Sequence, residues 1–267
     1  MNSHRPRKRF GQNFLRDQHV LDRILAAADL QDDDRILEIG PGLGALTSRL
    51  LATGLPVLAV EIDRDLGAAL QNRDEKNLDV VIGDVLRLDW AELLCNPPYK
   101  LIANLPYNIS SQVLFKVLDH RHAFLRLVLM FQKEVGDRLM AEEGTRNYGI
   151  LSALIQPWFQ IARVVKVSPG AFHPPPKVDS VVLCIEPLSV PRLALHDEAL
   201  YRKLVRGAFG QRRKTLRNSL LGSGWAAEQI DPAFSEAGID PGRRGETLKL
   251  EEFGTLANIL SSCLMGE

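Results

Sequence analysis

The stretch Ile36-Leu37-Glu38-Ile39-Gly40-Pro41-Gly42-Leu43-Gly44-Ala45-Leu46-Thr47 constrains this chain more than any other. An apolar run carries a carboxylate, three glycines follow at alternate positions, and a helix-compatible segment begins. Glycine accepts left-handed backbone and lets a ligand approach main-chain N–H groups, so the pattern predicts a strand, a tight turn and a helix start around a nucleotide-like ligand. A plain strand-to-helix turn can look the same, and the loop does not name its ligand.

The surrounding pattern repeats that unit. The spacing predicts strands over 35–39, 56–61, 78–82, 100–103 and 124–131, with helices near 17–29, 44–53, 64–71, 90–94, 110–118 and 133–141. Such alternation gives an α/β fold with a mostly parallel sheet covered by helices on both faces, and ligands bind at the C-terminal ends of its strands. Segments 162–167 and 177–185 flank a Pro-rich turn and predict a hairpin at the sheet edge. The linker falls at 187–191, and 192–267 has helical periodicity without strands. The expected division is therefore 1–188 and 189–267, within reach of a 267-residue chain that is 45% hydrophobic.

Composition excludes several classes. Cys95, Cys184 and Cys263 are far apart and lack CxxC spacing, which argues against structural zinc and disulfides and predicts buried thiols in a reducing compartment. No apolar window reaches the ~18 residues of a membrane span, so a soluble cytoplasmic protein is expected. Lys+Arg and Asp+Glu balance at 33 each, but the charges are unevenly placed. A basic arm, His4-Arg5-Pro6-Arg7-Lys8-Arg9, opens the chain. Arg202 with Arg206 and Arg213 with Arg217 stand at helical i, i+4 spacing, a basic face suited either to RNA phosphates or to solvent.

The strand ends carry the chemistry. Glu61 closes the second strand, where a carboxylate accepts bonds from both ribose hydroxyls. Gly83-Asp84 closes the third, placing an acid for an adenine amino group. The GxGxG spacing does not exclude NAD, but Glu38 and Asp84 fit S-adenosylmethionine better, which makes methyl transfer the leading chemistry. The fourth strand runs into Asn104-Leu105-Pro106-Tyr107. A nucleobase amine has its lone pair delocalised into the ring; an Asn oxygen and a backbone carbonyl accepting its N–H bonds draw the nitrogen toward tetrahedral geometry. Tyr107 is placed to stack on a base swung out of its helix. A similar Asn96-Pro97-Pro98-Tyr99 follows a helical segment, not a strand, and reads as a connecting turn. Phe172, held by Pro174-Pro175-Pro176, is either a second wall of the base pocket or a buried staple between strands. His173 reads as a solvated loop residue.

With these residues in view, the chain resembles the ribosomal RNA adenine dimethyltransferase family, most closely its bacterial small-subunit branch. The matching segments are 10–15, 38–47, 61–63, 83–84, 104–107, 131–139, 172–180 and 211–216. The resemblance implies a Rossmann-like, seven-stranded methyltransferase domain with a small helical C-terminal domain. It also implies dimethylation, without a metal, of two adjacent adenines near the 3′ end of small-subunit rRNA. The expected substrate is that RNA within an immature small subunit, and the expected enzyme is a monomer. By motif match, Asn13, Leu15, Gly40, Glu61, Asp84 and Asn104 would contact S-adenosylmethionine, with Asn104, Leu105 and Tyr107 facing the adenine. Leu105 fits a pocket roomy enough to keep a monomethylated amine for a second round. Lys249 stands where the family usually has serine.

Overall fold

A computed structural model of the chain describes residues 12–211 and 213–265. The basic arm at 4–9, together with Phe10, Gly11 and Arg212, lies outside the described residues.

In chain order the strands are β1 (Phe14–Leu15), β2 (Ile36–Ile39), β3 (Val57–Glu61), β4 (Leu78–Ile82), β5 (Tyr99–Asn104), β6 (Phe124–Gln132), β7 (Phe159–Val167), β8 (Phe172–His173) and β9 (Ser180–Pro187). The helices that position them include α1 (Gln18–Ala28), α2 (Ala45–Leu51), α3 (Arg64–Gln71), α4 (Trp90–Leu93), α5 (Ser110–Asp119), α6 (Lys133–Leu139) and α7 (Ile150–Ile155). Four more follow: α8 (Glu198–Ala208), α9 (Leu216–Gly222), α10 (Ala227–Ala237) and α11 (Leu250–Met265).

Local chemistry sets many of these limits. Asp17, Asp63, Asp89 and Asp197 each cap a helix by accepting a bond from a first-turn N–H. Helix α1 buries Val20, Leu21, Ile24 and Ala28 along one stripe, and each large apolar side chain so buried contributes about 1.5–3 kcal/mol.

The seven-stranded sheet has the order β4-β3-β2-β5-β6-β9-β7. Pairs β2–β3, β3–β4, β2–β5 and β5–β6 are parallel, whereas β9 runs antiparallel to β6. The expected edge hairpin is present, with β7 outermost beside β9. Because the order reverses between β2 and β5, the connections leave to opposite sides and a crevice opens at the C-terminal strand ends.

The other end of the sheet is closed by paired charges. Lys100, at the start of β5, holds Asp34 at 2.7 Å, both side chains under 10% exposed, and also donates to the Asp29 carbonyl. Asp34 accepts in addition from the Gln31 N–H at 2.6 Å. Nearby, Arg126 pairs with Glu186 at 2.6 Å and with Asp29 at 3.3 Å, all more exposed. In the sequence Asp32-Asp33-Asp34 reads only as a turn; its third member is in fact a buried ion-pair partner.

The grouping of the chain and the cysteines both differ from expectation. The chain forms two compact units, Met1–Gly136 with Gln160–Pro187 and Asp137–Phe159 with Leu188–Glu267, so 137–159 separates from the 1–188 division. That stretch bonds to the helical part: Tyr201 Oη donates to the Ala153 carbonyl at 2.7 Å, and the Gly144 N–H to the Glu246 carbonyl at 2.8 Å. Its helix α7 has only six residues, too few for a clear periodic signal. Finally, the cysteines are not buried thiols: Cys95 and Cys263 are exposed and Cys184 is half-buried.

Candidate active site

The glycine loop shows why its glycines are glycines. Gly40, Gly42 and Gly44 have φ of 71°, 60° and 80°, a region that strains other L residues. A Cβ at Gly42 would also stand 3.0 Å from the Phe14 ring. The loop is tied to β3: the Gly42 N–H donates to Glu61 Oε2 at 3.0 Å, and the Asp63 N–H to Oε1 at 2.9 Å. Burial nevertheless raises the Glu61 carboxyl above its usual range, against those two bonds.

Glu38 is 1% exposed, and burial pushes its carboxyl up to about 8. Its Oε2 and the Thr47 hydroxyl are both buried and make no well-formed hydrogen bond among the described residues, although the hydroxyl lies near enough to the carboxyl to oppose the effect of burial. Buried polar atoms without partners are rare in folded proteins and ask for a ligand or water.

Glu38, Gly40, Gly42 and Glu61 line one cavity of about 310 Å³ at the ends of β2, β3, β4 and β5. Asn13, Leu15, Gly40, Glu61, Asp84, Asn104, Leu105 and Tyr107 all border it, so eight expected positions converge. Asp84 keeps about a third of its side chain exposed, pairs with Arg87 at 3.5 Å and accepts from the Leu86 N–H at 3.0 Å. Glu38, Glu61 and Asp84 contribute three carboxyl groups, that of Glu38 kept protonated at neutral pH by burial, and no lysine or arginine is among the lining residues. That donor set suits a cationic ligand bearing hydroxyls and an amine, and opposes a pyrophosphate, the distinction that glycine spacing leaves open. S-adenosylmethionine, with a sulfonium, an ammonium, a ribose and an adenine, fits it.

At the end of β5, Asn104 Nδ2 donates to the Asn13 carbonyl at 3.2 Å. This fixes the amide so that Oδ1 remains the acceptor. Tyr107 Oη shares a 2.5 Å hydrogen bond with Ser180 Oγ, and burial raises the Tyr107 hydroxyl above its ordinary value. Ser180 lies in the 172–180 motif, but its hydroxyl has no chemical signature in sequence. Leu105 is 1% exposed. Residues 96–98 precede β5, and Asn104 is its last residue, as the strand argument requires.

Phe172 is corrected. It is 5% exposed and pairs with Leu15 across β1 and β8, inside the hydrophobic cluster that includes Val20, Leu21 and Leu46. It does not border the cavity; it is the staple, fastening the segment that carries Asn13. His173 beside it is exposed.

The paired basic face is corrected too. Arg213 precedes the Thr215 cap of α9, so Arg213 and Arg217 do not share a helix. Arg202 is ion-paired with Glu198 on α8, and Arg217 with Asp231 at 2.6 Å. Arg206 and Arg213 are exposed.

An open parallel sheet with a glycine loop, carboxylates at successive strand ends and an Asn-Leu-Pro-Tyr turn defines a Rossmann-like methyltransferase. Within that class, the chain belongs to the ribosomal RNA adenine dimethylase family, whose model matches residues 3–262. It is 63% identical to ribosomal RNA small subunit methyltransferase A of Syntrophotalea carbinolica, over 97% of this chain and 98% of that one. The Geobacter metallireducens protein of the same name is 52% identical, over 96% of each. Among solved structures, a dimethyladenosine transferase from Plasmodium falciparum superposes with a TM-score of 0.73 at 28% identity, covering 91% of this chain and 95% of that one. The 23S rRNA methyltransferase ErmE gives 0.66 at 27%, covering 93% and 100%.

Among the described residues, no group of three or more His, Cys, Asp or Glu is placed to hold a metal, and no helix is long and apolar enough to cross a membrane.

Proposed function

We propose that the protein dimethylates N6 of two adjacent adenines near the 3′ end of small-subunit rRNA, using S-adenosylmethionine. The observation that carries this reading is the Asn104 amide, locked by Asn13 at the mouth of an acid-lined cavity in a member of this family. The cofactor supplies an electrophilic methyl group on sulfonium.

The chain's own residues do the rest. Glu61 accepts from the ribose hydroxyls and Asp84 from the adenine amine, while Gly40, Asn13 and Leu15 form the floor and wall. Asn104 Oδ1 accepts an N–H of the target amine and favours the tetrahedral nitrogen that develops as the bond forms. Tyr107, steadied by Ser180, offers its ring face to the extruded base. Positioning carries the rate, since Asn104 is neutral and the carboxyl groups of Glu61 and Asp84 are engaged with the cofactor.

The helical unit would hold RNA phosphates through Arg206 and Arg213, with Arg202 and Arg217 exchanging their carboxylate partners for phosphate on binding. The immature small subunit as substrate, a monomeric enzyme and a cytoplasmic site of action complete the proposal. The relatives named for the small subunit, with near-complete coverage, support small-subunit rRNA as the substrate.

The test is methyl incorporation into immature small subunits. Wild type should form dimethyladenosine, and Asn104→Ala should fall by about 10²–10³-fold, the usual effect of removing one transition-state hydrogen-bonding group. Equal rates for the two would overturn the catalytic assignment.

A further inference from the structure

Arg73 lies two residues beyond α3 and belongs to no matched motif, yet it reaches the glycine loop. Its Nη2 donates to the Leu43 carbonyl at 3.1 Å, and its Nη1 to Ser48 Oγ at 3.0 Å. Ser48 Oγ in turn donates to the Gly44 carbonyl at 2.8 Å. One planar guanidinium therefore spans the last turn of the loop and the first turn of α2, using two donors in fixed fork geometry.

The fit depends on Gly44. A Cβ there would stand 2.2 Å from Nη2, and between 2.8 and 2.9 Å from the Cζ and Nη1 atoms. Gly44 thus serves twice: it adopts φ of 80°, and it leaves the seat on which the guanidinium lies. Leu43 borders the cavity, and its carbonyl is one of the two atoms held.

We propose that Arg73 is a positioning residue for the methyl donor. It clamps the Leu43–Ser48 segment into the conformation that receives S-adenosylmethionine, without touching the ligand. Without the clamp the loop samples other conformations, and the affinity falls by the fraction of time the competent one is lost.

The inference rests on the proposed cofactor, so binding and turnover are read separately. S-adenosylmethionine binding is measured by calorimetry on the full chain for wild type, Arg73→Ala, Arg73→Lys and Ser48→Ala, followed by steady-state methylation of small subunits. Arg73→Ala should weaken binding about tenfold and raise the KM for the cofactor in step, with kcat at saturation changed less than about twofold. Arg73→Lys should fall between, because an ammonium lacks the fork. Ser48→Ala combined with Arg73→Ala should be no worse than Arg73→Ala alone, since the two share one network. Binding by Arg73→Ala within twofold of wild type, or a loss confined to kcat, would overturn the clamp. Failure of the wild type to bind S-adenosylmethionine would instead overturn the proposed function.

Discussion

The two ends of the sheet are built from similar residues and arranged in opposite ways. At the N-terminal ends of the parallel strands, Asp34 pairs with Lys100, and Arg126 with Glu186 from the far end of antiparallel β9. At the C-terminal ends Glu38, Glu61 and Asp84 face a cavity whose lining includes no cation, Arg87 reaching Asp84 from outside that lining at 3.5 Å. Where charges complete each other they close the structure; where one sign is withheld, the partner is expected to arrive from outside. Charge alone does not mark a functional site, but acids gathered in one cavity with carboxyl groups shifted by burial do.

The largest effect should come from breaking the closed end. Lys100→Met strands Asp34 in the core and should lower unfolding stability by about 3–5 kcal/mol by denaturant titration, while Lys100→Met with Asp34→Leu recovers most of it. Neither should alter cofactor affinity in whatever fraction stays folded.

At the open end the expected signature is pH dependence. Burial holds the Glu38 carboxyl near 8, well above its unfolded value, so the native state keeps a proton that the unfolded chain has already released. The cofactor-free protein should therefore lose stability as pH rises from about 5 to 8, by about 1.4 kcal/mol per unit from this group. Glu38→Gln should remove that slope in melts taken across the window; an unchanged slope would show that Glu38 does not carry it.

Gly42→Ala probes the loop between the acids. Left-handed backbone disfavours alanine by about 1–2 kcal/mol, and the added methyl meets Phe14, so cofactor binding should weaken roughly tenfold in calorimetry. The smallest effect is expected at the exposed part of the closed end. Glu186→Gln leaves Arg126 its Asp29 partner and should change stability by under about 1 kcal/mol in denaturant titration.

How much of this was legible in the sequence depends on the range of the cause. The glycines, Glu61, Asp84 and Asn104 announce themselves because strand ends and left-handed turns are local and leave residue-type signals. Phe172 could not be placed, since its role rests on pairing β8 with β1, more than a hundred residues away. Arg213 and Arg217 misled because helical spacing was carried through a turn, whereas α9 starts only after its Thr215 cap. Ser180 and Arg73 matter through partners distant in sequence, which no spacing rule reveals. The grouping of 137–159 is hidden for a similar reason: that stretch lies inside the first domain by sequence and outside it by contact.

The bond between Asn104 and Asn13 joins residues 91 apart, and it makes a side-chain amide behave as a latch. The sheet, the glycine loop and the carboxylates do not need this latch to form, but the acceptor does. A chain whose leading segment has failed to dock would lose the Asn13 and Leu15 side of the cavity and would present its target with an amide turned either way. One short segment thus couples the shape of the donor site to the aim of the acceptor.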